Sequence, residues 1–209
     1  MKKILTIILC CLLFVGVTGS SFALAKHLDG KTSVEQSDSS GDSSTGGNGE
    51  ETPEVVSVWQ LCTGASDLAV GDQIVIVVQA EEMAMSTTQN TSNRSAVSIK
   101  KSGHTLNIGD DVQIITLENG VVENTFAFNV GNGYLYAPSS SSNQLKTHSS
   151  IDENSSWSIT IDSSCVASIV AQGTSTRNVL LYNLASQLFS CYASDQEPVM
   201  IYKLVEQEI

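Results

Sequence analysis

The chain has 209 residues, with 10 Lys and Arg against 22 Asp and Glu, a formal charge of −12. Its 31 Ser and 16 Thr outnumber all its charged residues together. Bulk charge therefore excludes direct attraction of nucleic acid, which needs a basic surface, while five Phe, five Tyr and two Trp suffice for a folded core.

The first 25 residues read as an export signal. Lys2 and Lys3 are followed by an apolar stretch, 4–17, broken only by Thr6 and Gly16. Gly19, Ser20 and Ser21 then lead to Ala23-Leu24-Ala25, an A-x-A cleavage pattern. The apolar run is about 14 residues, short of the roughly 20 that cross a bilayer. No transmembrane span is expected after cleavage. Cys10 and Cys11 act as apolar filler, because Leu9 stands where a lipoprotein signal needs a small residue. Residues 26–54 read as a tether. The stretch 37–51 contains no apolar side chain, so burial cannot offset the entropy of ordering it. Its spread acids also repel one another.

From residue 55 to 209 the composition changes to a single all-β domain. Runs rich in β-branched and aromatic residues fall at 57–61, 73–78, 112–117, 125–129, 157–161, 167–171, 178–182 and 199–205. Turn signals separate them, among them Lys101-Ser102-Gly103, Glu118-Asn119-Gly120 and Gly131-Asn132-Gly133. Asn119-Gly120 between apolar pairs is a hairpin signal. A four-part pattern recurs three times. It runs Ile76 to Val78, Met83 to Met85, Val97 to Ile99 and Val112 to Ile114. It returns as Phe126 to Phe128, Tyr134 to Tyr136, Leu145 to Thr147 and Trp157 to Ile159. The third copy is Ser168 to Val170, Leu180 to Tyr182, Leu188 to Ser190 and Val199 to Ile201. Three units of four short strands describe a β-trefoil, a barrel that closes on itself and leaves no sheet edge. Another small barrel or a sandwich is the alternative.

Chemistry-bearing residues are sparse. Cys62, Cys165 and Cys191 show no metal spacing, and leave either one disulfide with a free thiol or three free thiols. His104 and His148 lack a metal-ligating partner pattern and are expected in exposed loops. No metal or cofactor is expected. No G-x-S-x-G occurs, and the acid pairs Glu81/Glu82, Asp110/Asp111 and Asp152/Glu153 sit in turn-like places as solubilising groups. Arg94 and Arg177 share similar Thr/Ser/Asn surroundings, which suits pinning of loop carbonyls. Tyr134, Tyr136, Tyr182 and Tyr192 lie beside Asn- and Ser-rich loops. A Tyr ring packs against an apolar sugar face and hydrogen-bonds at its tip. With Asn143, Arg177 and Asn183 they form the candidate ligand-binding set.

The stretch Gly133-Tyr134-Leu135-Tyr136-Ala137-Pro138, the Ser-rich turn to Asn143, then Leu145-Lys146-Thr147, Ala171-Gln172-Gly173 with Arg177-Asn178, Tyr182-Asn183 and Leu188-Phe189-Ser190-Cys191-Tyr192 together resemble an accessory module of bacterial secreted and cell-surface proteins. The resemblance runs through most of 59–203. It implies a non-catalytic, surface-associated role without an assigned ligand. The expectation is thus an exported module, secreted or held at the cell envelope, that recognises a glycan or another surface ligand. A protein-binding or structural surface protein is the second reading, and a small secreted hydrolase the third.

Overall fold

The computed structural model describes residues 55–209; the expected signal and tether lie outside the described residues. Strand β1 (Val55–Leu61) comes first. The first unit follows as β2 (Gln73–Val78), β3 (Met83–Gln89) and β4 (Arg94–Ser98). A small hairpin, β5 (Lys100–Ser102) and β6 (Thr105–Asn107), then precedes its last strand, β7 (Ile115–Asn119). The second unit is β8 (Phe126–Asn129), β9 (Tyr134–Tyr136), β10 (Lys146–His148) and β11 (Ser156–Ile161). The third is β12 (Ala167–Ala171), β13 (Val179–Asn183), β14 (Leu188–Tyr192) and β15 (Val199–Glu208).

The pairings identify the architecture. β2 pairs with β7, β7 with β8, β8 with β11, β11 with β12, β12 with β15, and β15 returns to β2, all antiparallel. Six strands therefore form a closed ring, and β3–β4, β9–β10 and β13–β14 are three hairpins outside it. This is a β-trefoil. The hairpins also lean on one another. β14 pairs with β4 at Leu188↔Ser95 and Phe189↔Arg94. Leu145 N donates to Ser92 O at 2.9 Å, joining the second hairpin to the first. Thr176 N donates to Ser140 Oγ at 3.0 Å, joining the third unit to the second.

Alternation of side chains explains β2. Ile74, Ile76 and Val78 point into the barrel with Leu117, Phe128, Leu135, Trp157 and Ile169. Val75 and Val77 point outward, where Trp59, Leu106 and Tyr202 cover them. A strand buried on both faces must read as an unbroken apolar run, and 74–78 does. In the barrel core Phe128 stacks on Trp157 with ring centroids 5.4 Å apart, and Trp157 Nε1 donates to Leu135 O at 3.1 Å.

Three sequence expectations need adjusting. The last strand of the first unit is Ile115–Asn119, not Val112 to Ile114. Val112 makes one bridge to Ser86, and Gln113 is held by buried Arg94. The inserted β5–β6 hairpin makes the first unit longer than its successors. Asn119 does end a hairpin strand, but the β7–β8 connection spans 120–125, closed by Gly120 N donating to Thr125 O at 3.0 Å.

Candidate functional site

The hairpin β9–β10 has two unlike faces. Tyr134 lies opposite His148, Leu135 opposite Thr147, and Tyr136 opposite Lys146. Leu135 enters the barrel core. Alternation then puts Tyr134, Tyr136, Lys146 and His148 on the other face, where all four are partly exposed. The rings of Tyr136 and His148 stack with centroids 4.0 Å apart and planes 13° apart. His148 is thus a strand residue in an aromatic stack, not the exposed loop residue expected from sequence. His104 is exposed in the β5–β6 turn, as expected.

Tyr134 Oη donates to Glu118 Oε2 at 2.9 Å. The bond to Glu118 holds the phenol above its usual range, with burial adding to it. Glu118 is itself held, because Asn129 Nδ2 donates to its Oε1 at 2.6 Å. Glu118 therefore anchors Tyr134 and does not face a solvent-filled site as a free carboxylate.

The loop between β9 and β10 carries the Ser-rich turn. Ser139 Oγ accepts from the backbone of Ser141 and Ser142, so these hydroxyls organise the turn locally. The loop is then clamped by the third unit. Arg177 Nη1 donates to Asn143 Oδ1 at 2.6 Å, and Thr176 binds Ser140 as above. Gly173 lets the third unit approach the turn Glu153–Ser155 closely, since a Cβ there would lie 2.8 Å from Asn154 N and closer still to Asn154 Oδ1. Among the described residues, four buried side-chain atoms lack a hydrogen-bond partner. Two belong to this seam of the second and third units, Asn154 Oδ1 and Arg177 Nε, and a third is His148 Nε2 on β10. Such atoms are costly in a folded protein and mark a polar seam that its own groups do not complete.

The sequence-derived set is thus divided. Tyr134, Tyr136, Asn143 and Arg177 come together at one hairpin and its neighbouring loop. Tyr182 and Tyr192 do not join them. Tyr182 is 1% exposed and packs on Phe189 at 5.1 Å, on the same side of β13 as core Leu180. Tyr192 is 6% exposed and lies opposite Val179. Their assignment as ligand contacts is corrected: both rings are buried in the fold. Asn183 organises the β13–β14 turn. Its Oδ1 accepts from Ser186 N at 2.8 Å and Ser186 Oγ at 2.6 Å, and its Nδ2 donates to Gln196. His148 and Lys146 were missed, although their period-2 spacing opposite Tyr134 and Tyr136 would have placed them.

Other candidates are structural. A cavity of about 300 Å³ is lined by Leu61, Cys62, Thr63, Asp67, Lys203 and Val205. Its charged groups are committed. Asp67 accepts from Thr63 N and Gly64 N, and Lys203 pairs with Asp72 at 3.3 Å. Among the described residues, Cys62, Cys165 and Cys191 form no disulfide. No cluster of metal-ligating side chains occurs among the described residues. Asp110, Asp111, Asp152 and Glu153 are exposed, and Asp152 Oδ1 caps the short helical turn Glu153–Ser155.

Comparison with known proteins adds likeness of fold alone. No family model matches the chain, and no curated protein matches it. A solved structure titled BEL beta-trefoil is 16% identical at a TM-score of 0.49, over 66% of this chain and 96% of its own. The designed three-fold symmetric protein ThreeFoil is 16% identical at 0.40, over 64% and 97%. The lysenin pore is 14% identical at 0.41, and the match spans 68% of this chain and half of that one. The trefoil assignment stands on the ring of strand pairings.

Proposed function

We propose that this chain is an exported, non-catalytic binding module, and that the outer face of β9–β10 recognises a glycan. The observation that supports this reading is the partly exposed Tyr136–His148 stack, on a hairpin that also carries Lys146 and whose loop holds the Asn143–Arg177 pair. A sugar ring has one apolar face and a rim of hydroxyls. A flat ring stack supplies the apolar contact, and amide and guanidinium groups supply fixed hydrogen bonds. The resemblance to bacterial surface accessory modules and the signal-like N-terminus fit a role outside the cell.

The test is a glycan array with residues 55–209, followed by Tyr136→Ala. The expected result is a restricted set of bound glycans that the variant loses while its circular dichroism and melting temperature stay near the parent's. A hit that survives Tyr136→Ala would move the site elsewhere. Silence on the array, with specific capture of a surface protein, would replace the glycan reading with protein recognition.

A further inference from the structure

We infer that the sugar bound at the β9–β10 face is acidic and carries a ring carboxylate, an inference that rests on the glycan reading above. The argument is an inventory of cations. Residues 55–209 contain six basic residues and fifteen acidic ones, a balance of −9. In such a molecule a basic side chain has many potential partners within the protein. Three of the six are indeed committed. Arg94 is 1% exposed and donates to Gln113, Gln89 and Thr147. Lys101 Nζ donates to the carbonyls of Val78 at 2.7 Å and Gln79 at 2.9 Å. Lys203 pairs with Asp72 and donates to Asp67 O.

Lys100, Lys146 and Arg177 remain, and none has an ion pair among the described residues. Lys100 lies on β5. Lys146 lies on the same hairpin as the ring stack, and Arg177 is held at the loop of that hairpin. Lys146 lies directly opposite Tyr136 in the β9–β10 register, and Arg177 is tied by one nitrogen to neutral Asn143. Asn143 holds the guanidinium in place without neutralising it, and Nη2 makes no hydrogen bond among the described residues. The nearby acids are otherwise engaged. Glu118 serves Tyr134 and Asn129, while Asp152 caps a helical turn and lies 3.9 Å from His148. Two cations without an ion pair among the described residues, one on the hairpin of the ring stack and one held at its loop, in a domain with a large acid excess, are matched by an anionic group on the ligand. The overall negative charge repels such a ligand at long range, so selectivity arises at contact and weakens with salt.

The experiment is isothermal titration of residues 55–209 with a uronic-acid oligosaccharide, its carboxyl-reduced neutral counterpart and a sulfated oligosaccharide. The expected result is binding of the uronic acid about tenfold tighter than the neutral form. Lys146→Gln and Arg177→Gln should each weaken the uronic acid more than the neutral form and so narrow that ratio. Equal affinity for the acidic and reduced sugars overturns this inference and leaves the glycan reading standing. Preference for the sulfated sugar overturns the carboxylate assignment. No binding of any of the three, together with a silent array, overturns both.

Discussion

Arg94 and Gln113, nineteen residues apart, meet in the fold at 2.6 Å, with the guanidinium donating to an amide oxygen and pairing with no carboxylate among the described residues. Burial draws the Arg94 pKa down to about 10, still far above neutrality, so the side chain stays charged. It bridges the β3–β4 hairpin, the segment before β7 and Thr147 of β10. Arg94→Leu orphans several acceptors, each worth about 1–3 kcal/mol when buried. The expected loss is about 3–5 kcal/mol in urea unfolding. Arg94→Lys should recover only part of it, because one ammonium cannot reach all of these groups.

The two apolar clusters can be separated experimentally. Trp59→Ala removes the centre of the outer cluster and should cost about 3 kcal/mol. Hydrogen exchange should then rise first in β1, β5 and β6, with β8 and β11 still protected. Trp157→Ala opens the barrel itself, and exchange should rise throughout. Uniform behaviour of the two variants would mean that the layers unfold as one unit.

Gly133 adopts φ +140, and a Cβ there would collide with the carbonyl oxygen of His148. Gly133→Ala should cost about 1–3 kcal/mol and displace β9 from β10. Ligand binding at the Tyr136 face should fall with it. Gly131 also has positive φ, but open space around it. Gly131→Ala should cost about 1 kcal/mol and leave binding intact, which separates backbone strain from disruption of the site.

The thiols differ by burial. Desolvation pushes Cys62 up to about 12, and fully buried Cys191 is also raised. Cys165 is partly exposed in a turn. Iodoacetamide on the native protein should modify Cys165 well ahead of Cys62 and Cys191, and peptide mass mapping of these three sites reads this directly. Rapid labelling of Cys62 or Cys191 would contradict the burial described here.

Asp67 is held below the usual carboxylate range, first by the backbone N–H groups of Thr63 and Gly64. A lowered native pKa gives stabilisation that is present above the unfolded pKa and is lost as pH falls through the lower native value. Melting temperatures measured from about pH 6 down to about pH 2 should decline less steeply for Asp67→Asn than for the parent. An unchanged slope would show that other acids govern the decline.

Much of the architecture was legible because alternation and repetition are local. Gln73–Val78 and Ala167–Ala171 were bounded as observed, since each is an apolar run between polar turns. The inserted β5–β6 hairpin was not, because Lys100, Lys101 and Ser102 are poor strand formers held by pairing with β6. Parity in 179–183 could have shown that Tyr182 shares a face with Leu180. Tyr192 is buried by tertiary packing on the opposite side of its strand, which no local pattern encodes. The Asn143–Arg177 bond joins positions 34 residues apart and depends on the barrel bringing two units together.

Strand β15 touches β1, β2 and β12, and follows every other described element in the chain. Val55 pairs with Glu208, the widest sequence separation in the sheet. Neither apolar cluster can be completed before this strand arrives, because Val199 and Ile201 belong to one and Tyr202 to the other. Closing so long a loop is entropically slow. During synthesis, the chain therefore stays open until its final strand is available, and ring closure is the step on which folding speed depends.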